Sequence, residues 1–206
     1  MGDKRRTSEV RQVELTDAAL HILATRGIAA LSTRSLAEHV GLSSGAIFRH
    51  FASLDALLDA VVARVERVLE STYPPPELPP RERLERFIEA RSTAVGNQVG
   101  ILRLVLSEQF LLSLPASGSA RLSACVRETR DYVRDCVREG QEAGELRADI
   151  EANALAVVVM GTIQMLALSG ASPRQRVKEA KAVRDGLLAL LAPPVTKGSK
   201  SRRRPA

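Results

Sequence analysis

The sequence contains no tryptophan, only 3% aromatic residues and two cysteines among 206 residues. So few aromatic side chains argue against a β-sandwich or barrel, whose strands rely on aromatic and β-branched positions. The two cysteines form neither a CxxC nor a CxxxH spacing, which argues against a disulfide framework and a structural zinc site. Met1–Arg6 is charged and lacks an apolar run, so we expect no signal peptide and a cytoplasmic protein.

Motifs of catalysis and metal binding are also missing. The sequence has no glycine-rich phosphate loop and no nucleophile beside a placed base, so we expect neither enzyme activity nor a cofactor. His21 and His39 have no partner at ligand spacing, so we expect no metal site. The apolar run at 152–168 is at the lower limit of the roughly 17–25 residues that a membrane span needs. Because this run contains Asn153 and Gln164, we interpret it as a buried helix and expect no membrane partner.

Five of the six net positive charges come from the C-terminal end of the chain. Residues 193–206 contain Gly, Ser and Pro, no acidic side chain and five basic ones, namely Lys197, Lys200, Arg202, Arg203 and Arg204. This composition predicts a basic disordered tail. Two interpretations stay open, an arm that binds phosphate without sequence specificity and a solvated tail without a dedicated role.

Apolar residues recur at helical spacing and nowhere alternate as in a strand, so we predict an all-α protein of about nine helices. The first predicted helix covers Val10–Arg26 and stops at Gly27. A serine that can act as N-cap then precedes each of three further helices. These are Thr33–Val40 after Ser32, Ser44–His50 after Ser43, and a helix after Ser53 whose apolar stripe is Leu54, Leu57, Leu58, Val61, Val62 and Val65.

The rest of the chain begins with a loop, because five prolines lie between Tyr73 and Pro80. The predicted elements after it are a helix with Leu84, Phe87, Ile88 and Arg91 on one face, an apolar helix at Ile101–Leu112, a turn at Leu114–Ser119, a polar helix at Ala120–Ala143, and two last helices at about 151–169 and 174–192. A helix that is apolar on all sides must be covered on all sides. We therefore expect the last two helices to pair with their copies in a second subunit as a four-helix bundle.

Residues 32–51 have the pattern of a helix-turn-helix motif, two short helices joined by a tight turn that contains a glycine. In such motifs the second helix lies in the major groove of DNA and presents its N-terminal end to the bases. Here that end is small and polar, with Ser43, Ser44, Gly45 and Ala46. The pattern predicts DNA binding.

The segment from Gly41 to Leu58, GLSSGAIFRHFASLDALL, resembles the signature of the tetracycline-repressor (TetR) family of transcriptional regulators. Upstream, Leu15, Ala18, Ala19, Gly27 and Thr33–Ala37 fall in the register of that family. The resemblance covers about residues 8–68, and Gly144–Asp149 is similar to the family's boundary before its first dimer helix.

The resemblance implies a homodimeric all-α repressor that binds a palindromic double-stranded DNA operator and a small-molecule inducer. It implies a DNA-binding domain at 8–68, a ligand-binding and dimerisation domain at 69–192, and the tail at 193–206. The residues that match its DNA-facing set are Thr33, Ser43, Ser44, Ala46, Phe48, Arg49 and His50, and Arg34 lies within reach of the DNA backbone. The family often has Tyr at Phe48 and Lys at Leu54, so backbone anchoring is expected to be weaker here. The basic Lys4, Arg5 and Arg6 are a candidate compensating arm.

The regulatory half offers candidates for an inducer cavity. Aromatic, Met and Gln side chains on its helices are expected to line it, namely Phe87, Phe110, Met160, Gln164 and Met165. Cys125 and Cys136 lie three turns apart on one helix face, where ordinary packing and a thiol sensor are both open. Two other functions also stay open, a ligand-independent architectural DNA-binding protein with a filled core and a helical interaction module that binds no DNA.

Overall fold

Nine α-helices and one 3-10 turn, with no β-strand, make up the part of the chain that the computed structural model describes, which is residues 2–97, 107–168 and 173–194. The all-α prediction is confirmed for these residues. The helices are α1 (Gly2–Arg26), α2 (Thr33–Val40), α3 (Ser44–Ile47), α4 (Leu54–Glu70), α5 (Pro80–Asn97), α6 (Glu108–Ser113), α7 (Ala116–Glu142), α8 (Ala152–Leu168) and α9 (Pro173–Leu191), and the 3-10 turn is Ile28–Ala30. Positions 101–106 of the predicted apolar helix and 195–206 of the predicted tail lie outside the described residues.

Serine and glycine residues set the ends of α2 where the sequence predicts them. The backbone N–H of Ser35 donates to Ser32 Oγ at 3.0 Å, and the backbone N–H of Ser32 donates to Ser35 Oγ at 3.0 Å. This reciprocal pair is a capping box that satisfies two free donors of the first turn. Gly41 ends α2 with a φ of 71°, a left-handed conformation that favours glycine. Ser53 also caps α4 as predicted, because its Oγ accepts from the Ala56 N–H at 3.1 Å.

Two helices begin earlier than predicted. The prediction placed the start of α1 at Val10, where the apolar period begins, but the helix starts at Gly2. Residues 3–9 contain neither proline nor glycine, so nothing in them stops the helix from extending. The prediction also treated Leu114–Ser119 as a turn and began the next helix at Ala120. Pro115 instead occupies the N-cap position of α7, which begins at Ala116.

One predicted helix is too long. The sequence places the second helix of the helix-turn-helix motif at Ser44–His50, but α3 ends at Ile47. The next residues form a tighter turn, in which the N–H of Arg49 donates to the Ala46 carbonyl at 3.3 Å and the N–H of His50 donates to the Ile47 carbonyl at 2.9 Å. Ser43 holds the N-cap position without a side-chain cap hydrogen bond.

The core is organised around α4, which packs against α1 on one side and α7 on the other. The predicted stripe of α4 is buried from Leu57 onward, and Val61, Val62 and Val65 have no exposed surface, whereas Leu54 is 36% exposed. The helices α5, α8 and α9 pack against one another, and α5 and α8 also pack on α7. One continuous hydrophobic cluster therefore joins the helix-turn-helix motif to the rest of the chain.

The first turn of α7 lies against α4 at Gly118. A Cβ atom placed on Gly118 would stand 3.4 Å from Val62 Cγ2 and 3.7 Å from Leu114 Cβ, which are ordinary contact distances. Gly118 is buried, so a side chain longer than that of alanine would meet α4 there. The residue that suggested a turn in the sequence is thus the point of contact between two helices.

The helix that is apolar on all sides, α8, is covered on one side only in the single chain. Leu155, Ala156, Val159 and Ile163 are buried, whereas Val157 is 54% and Met165 68% exposed. Leu190, on the neighbouring α9, is 64% exposed. Within residues 2–97, 107–168 and 173–194, no helix is long and apolar enough to cross a membrane.

Gly41→Ala is expected to lower the free energy of unfolding by roughly 1–2 kcal/mol, because alanine is strained in the left-handed conformation that ends α2. Urea unfolding followed by circular dichroism measures this change. Gly45→Ala is the matched control, since its Cβ would also meet open space but its φ is not positive. We expect no loss of stability for Gly45→Ala, and equal losses for the two variants would contradict the argument.

Candidate DNA-binding surface and interior cleft

The start of α3 is the exposed tip of the helix-turn-helix motif. Ser43, Ser44 and Gly45 are all exposed, and Arg49, just after α3, is exposed as well. Phe48 is 53% exposed. Small side chains at a helix tip allow the backbone to approach a groove closely, and an exposed arginine beside them can reach bases or phosphates. The geometry therefore presents a small polar tip with one cation next to it.

One residue of the predicted DNA-facing set is turned inward. Ala46 is only 4% exposed, so its methyl group packs within the motif and is not available for a base contact in this structure. A one-turn helix has an inner and an outer face, and Ala46 lies on the inner face beside the buried Ile47. The other members, Thr33, Arg34, Ser43, Ser44, Phe48, Arg49 and His50, are exposed or half-buried.

Two residues of α1 hold the turn that follows α3. Gln12 Nε2 donates to the backbone carbonyl of His50 at 2.9 Å, and Ser8 Oγ lies 3.4 Å from His50 Nδ1. These contacts fix the position of His50 relative to α1. Sequence reasoning missed Gln12 and Ser8, because contacts between residues about 40 positions apart leave no local pattern.

Arg34 lies on the exposed surface of α2. Its Nε donates to Glu38 Oε1 at 2.9 Å, and the two side chains are 86% and 66% exposed. An exposed ion pair one helical turn apart contributes only about 0.3–0.5 kcal/mol. The guanidinium is therefore free to exchange Glu38 for a DNA phosphate at little cost.

The segment Gly41-Leu42-Ser43-Ser44-Gly45 also has the G-x-S-x-G spacing that many hydrolases use for a nucleophilic serine. That motif depends on a sharp turn from a strand into a helix, which exposes the serine. Here the segment joins α2 to α3, and the described part of the chain contains no strand. The spacing reflects the end of one helix and the start of the next.

An arginine clamp joins α4 to α7. Arg121 Nε donates to Glu66 Oε1 at 2.9 Å, and Arg121 Nη2 donates to the other oxygen of the same carboxylate. Arg121 Nη1 also lies 3.6 Å from Asp59 Oδ1. The hydrogen bond to Glu66 raises the pKa of Arg121 above its ordinary value. Two acidic residues of α4 are thus held by one cation of α7.

A cleft of about 660 Å³ lies between α4 and α7, next to this clamp. Binding sites for small molecules commonly measure about 300–1,000 Å³. The described residues that line the cleft are Glu66, Leu69, Glu70, Tyr73, Arg121, Ala124, Cys125 and Glu128. Because Glu66 and Arg121 belong to both features, a molecule in the cleft would contact the clamp.

A buried arginine lies behind the cleft wall. Arg91, on α5, is only 3% exposed, and burial lowers its pKa. Its Nη2 donates to Thr129 Oγ1 at 3.2 Å, and its guanidinium carbon lies 4.9 Å from the ring centre of Phe87 and 5.5 Å from that of Tyr73. Tyr73 also hydrogen-bonds Thr129 at 3.0 Å. Arg91 Nε has no hydrogen-bond partner among the described residues.

The five residues predicted to line an inducer cavity do not meet at the cleft. Phe87 is fully buried and does not line the cleft, although its ring centre lies 5.6 Å from that of Tyr73, which does. Phe110 is buried on α6. Met160 and Gln164 are half-buried on α8. Met165, at 68% exposed, faces out of the single chain. A lining role for these residues stays a prediction.

The comparison with known proteins agrees with this geometry. The chain matches the family model "Bacterial regulatory proteins, tetR family" over residues 15–61 and the model "Tetracyclin repressor-like, C-terminal domain" over residues 113–184. The transcriptional repressor KstR2 of Mycobacterium tuberculosis is 27% identical over 150 residues, which are 68% of this chain and 72% of KstR2. The regulator BetI of Paraburkholderia phytofirmans is 34% identical over 61 residues, which are 30% of this chain and 31% of BetI.

Solved structures share the fold over most of the chain. The TetR family regulator PfmR of Thermus thermophilus superposes with a TM-score of 0.70 at 22% identity, over 85% of this chain and 97% of PfmR. AibR in complex with isovaleryl coenzyme A and operator DNA has a TM-score of 0.71 at 16% identity, over 89% of this chain and 99% of AibR. KstR2, BetI and PfmR are all named as transcriptional regulators and not as enzymes.

Neither cysteine is expected to react quickly at neutral pH. Both thiols are free, and burial raises the pKa of Cys125 and of Cys136. A raised thiol pKa means less reactive thiolate at every pH below it, so labelling of the folded protein by a disulfide reagent at pH 7.5 should be slower than labelling of N-acetylcysteine, and should accelerate only at higher pH. The urea-unfolded chain is the control, and a folded-state thiol faster than N-acetylcysteine would revive the thiol-sensor interpretation.

Proposed function

The chain belongs to the TetR family of DNA-binding transcriptional regulators, and from that premise we propose that it is a repressor that a small-molecule inducer releases from a palindromic operator. We place the DNA-binding domain at 8–68, the regulatory and dimerisation domain at 69–192 and the basic tail at 193–206. A repressor of this kind acts in the cytoplasm and needs no catalytic step. The observation that carries the proposal is that the exposed tip of α3 and the interior cleft are joined by one helix, α4.

On DNA, α3 enters the major groove with its N-terminal end toward the bases. Ser43, Ser44 and Arg49 contact base edges or nearby phosphates, and Thr33 and Arg34 at the start of α2 contact the backbone. Gln12 keeps the turn after α3 in place through its hydrogen bond to His50. The exposures of these side chains support the assignment.

The inducer acts through α4. A ligand in the cleft contacts Glu66 and Arg121, and a change in this pair shifts α4 relative to α7. Because α4 also packs on α1, the shift moves the DNA-reading helices. The ligand must bind the released arrangement more tightly than the DNA-bound one, since equal affinity for both would shift nothing. AibR has this fold, and one structure of it contains both isovaleryl coenzyme A and operator DNA. This supports the proposal that a protein of this fold can bind a ligand and DNA.

The cleft favours this function over a ligand-independent architectural protein. Such a protein has no need of a ligand site, whereas here a cleft of about 660 Å³, open to solvent at Glu70 and Glu128, borders the clamp. In an interaction module that binds no DNA, the exposed tip with Ser43, Ser44 and Arg49 would have no role. Specific binding to one operator separates both alternatives from the proposal.

Arg49→Ala should weaken operator binding by about 1–3 kcal/mol, because it removes a cation next to the bases. Fluorescence anisotropy on DNA from the intergenic region beside the gene measures this, at about 150 mM salt with non-specific competitor, because backbone contacts alone give a Kd of about 10⁻⁴–10⁻⁶ M. Arg127→Ala, an exposed arginine of α7, is the matched control and should change nothing.

The same assay tests the tail. A chain that lacks residues 193–206 should keep its specific binding and lose only part of its salt dependence. If wild-type binding is weak, sensitive to salt and abolished by this deletion, the tail is the DNA-binding element and the proposed function is wrong.

The homodimer forms, we propose, through the exposed apolar side of α8 and α9, and holds two α3 tips about 34 Å apart, one turn of DNA. Val157→Glu places a charge on that surface and should shift sedimentation equilibrium toward the monomer. Val10→Glu is the matched control, since Val10 is 57% exposed on α1 and Val157 is 54% exposed. A dimer that survives Val157→Glu, Val158→Glu and Leu190→Glu together would place the interface elsewhere.

A further inference from the structure

The interior of the regulatory domain contains a cation without a counter-charge. Arg91 is 3% exposed, and no described carboxylate forms an ion pair with it. The other inward-facing arginine of α5, Arg83, pairs with Glu139 on α7. Buried charges in proteins are usually paired, because an unpaired charge loses its hydration without compensation. Arg83 has the paired charge that this rule leads us to expect, and Arg91 has none among the described residues.

No acidic side chain in the described part of the chain supplies the missing carboxylate. Every Asp and Glu side chain except Asp3 lies where the structure describes side chains. Asp3 belongs to α1, which packs on α2 and α4 and not on α5. The segment 93–106, next to Arg91 in the chain, contains no acidic residue at all. The described side chains therefore give Arg91 no counter-charge, and a bound ligand can supply one.

The protein contacts of Arg91 are polar but neutral. Thr129 accepts one hydrogen bond, the rings of Phe87 and Tyr73 face the guanidinium, and Nε is left without a partner. Aromatic faces compensate a buried cation only in part. One donor of Arg91 is thus left without a partner in the part of the chain that the structure describes.

The cleft lies next to this group. Tyr73 lines the cleft and contacts Arg91 through its ring. Thr129, the hydrogen-bond partner of Arg91, lies one helical turn along α7 from Cys125, which also lines the cleft. Arg91 therefore lies directly behind the cleft wall at Tyr73, and the carboxylate of a ligand reaches it when the Tyr73 side chain turns aside.

We propose that the inducer is an organic monocarboxylate whose carboxylate pairs with Arg91 and whose apolar body lies between α4 and α7. This inference rests on the proposed function, in which the cleft is the inducer site. A guanidinium is permanently charged and binds a carboxylate through two parallel hydrogen bonds, and here Nε is free to donate one of them. Leu69, Ala124 and the Tyr73 ring provide apolar contact for the body of the ligand.

The charges at the mouth of the cleft limit the ligand to one buried negative charge. Glu66 is neutralised by Arg121, but Glu70 and Glu128 are exposed at the rim. They would repel a polyanion such as a phosphate-rich cofactor, whose charges extend to the rim. A single carboxylate at the inner end lies away from them, and solvent screens what repulsion remains.

The test uses the full-length protein without DNA and matched probes. Thermal unfolding and calorimetry compare butanoate, octanoate, dodecanoate, benzoate and 4-phenylbutanoate with their primary amides and with dodecyltrimethylammonium. We expect at least one carboxylate to raise the Tm and to bind at least 10-fold more tightly than its amide. The inference is overturned if no carboxylate binds, if the amides bind equally well, or if the ammonium probe, which Glu70 and Glu128 would attract, binds best.

Arg91→Met and Arg83→Met separate recognition from a structural role. Arg91→Met should weaken the best carboxylate at least 30-fold, leave its amide unchanged and raise the Tm of the ligand-free chain, because it removes an unpaired buried charge. Arg83→Met breaks an ion pair, so it should lower the Tm and keep the preference for carboxylate. A lowered Tm with unchanged carboxylate binding in Arg91→Met would make Arg91 a structural residue and overturn the inference.

Measurements with operator DNA then distinguish a failure of the monocarboxylate assignment from a failure of the proposed function. If the protein binds its operator specifically and no carboxylate binds, the monocarboxylate assignment fails while the regulator stands. If a carboxylate binds through Arg91 but leaves operator binding unchanged, the assignment of Arg91 stands and the inducer mechanism fails. If it binds and releases the operator, both are supported.

Discussion

The burial of α4 is the constraint on which the rest of the structure depends. Val61, Val62 and Val65 have no exposed surface, because α1 covers one side of the helix and α7 the other. Each fully buried aliphatic side chain contributes about 1.5–3 kcal/mol. The motif that reads DNA therefore has no separate core, since its stability and its orientation come from a helix that it shares with the regulatory half.

Polar contacts orient this shared helix without adding much stability. Arg64 of α4 pairs with Asp17 of α1 at 2.9 Å, and Glu66 of α4 pairs with Arg121 of α7. These side chains are partly exposed, so each pair contributes little to folding. Because the pairs require defined positions, they fix how α4 lies on each neighbour. Because these ion pairs are weak, α4 can change its orientation on α1 and α7 at a small cost in free energy.

Local signals in the sequence predict the helices, and distant contacts decide the site. Ser32, Gly41 and Ser53 act on their own neighbours, so α2 begins and ends, and α4 begins, where the sequence indicates. The start of α1 carries no such signal and was placed too late. Ala46 faces inward because of the packing of α3, and Arg91 meets Thr129 only when α5 packs on α7. The one sequence sign of Arg91 was its place on the apolar stripe of α5, with Leu84, Phe87 and Ile88.

The close approach at Gly118 has a mechanical consequence. There α7 touches Val62 of α4, whereas ten residues further along, at Glu128, the same two helices are separated by the cleft. Glu128 is about 15 Å from Gly118 along the axis of α7. The two helices are therefore in contact at one end and apart at the other, so a wedge at the open end would turn one helix about the contact at Gly118. The direction of that rotation is set by the place where the two helices touch.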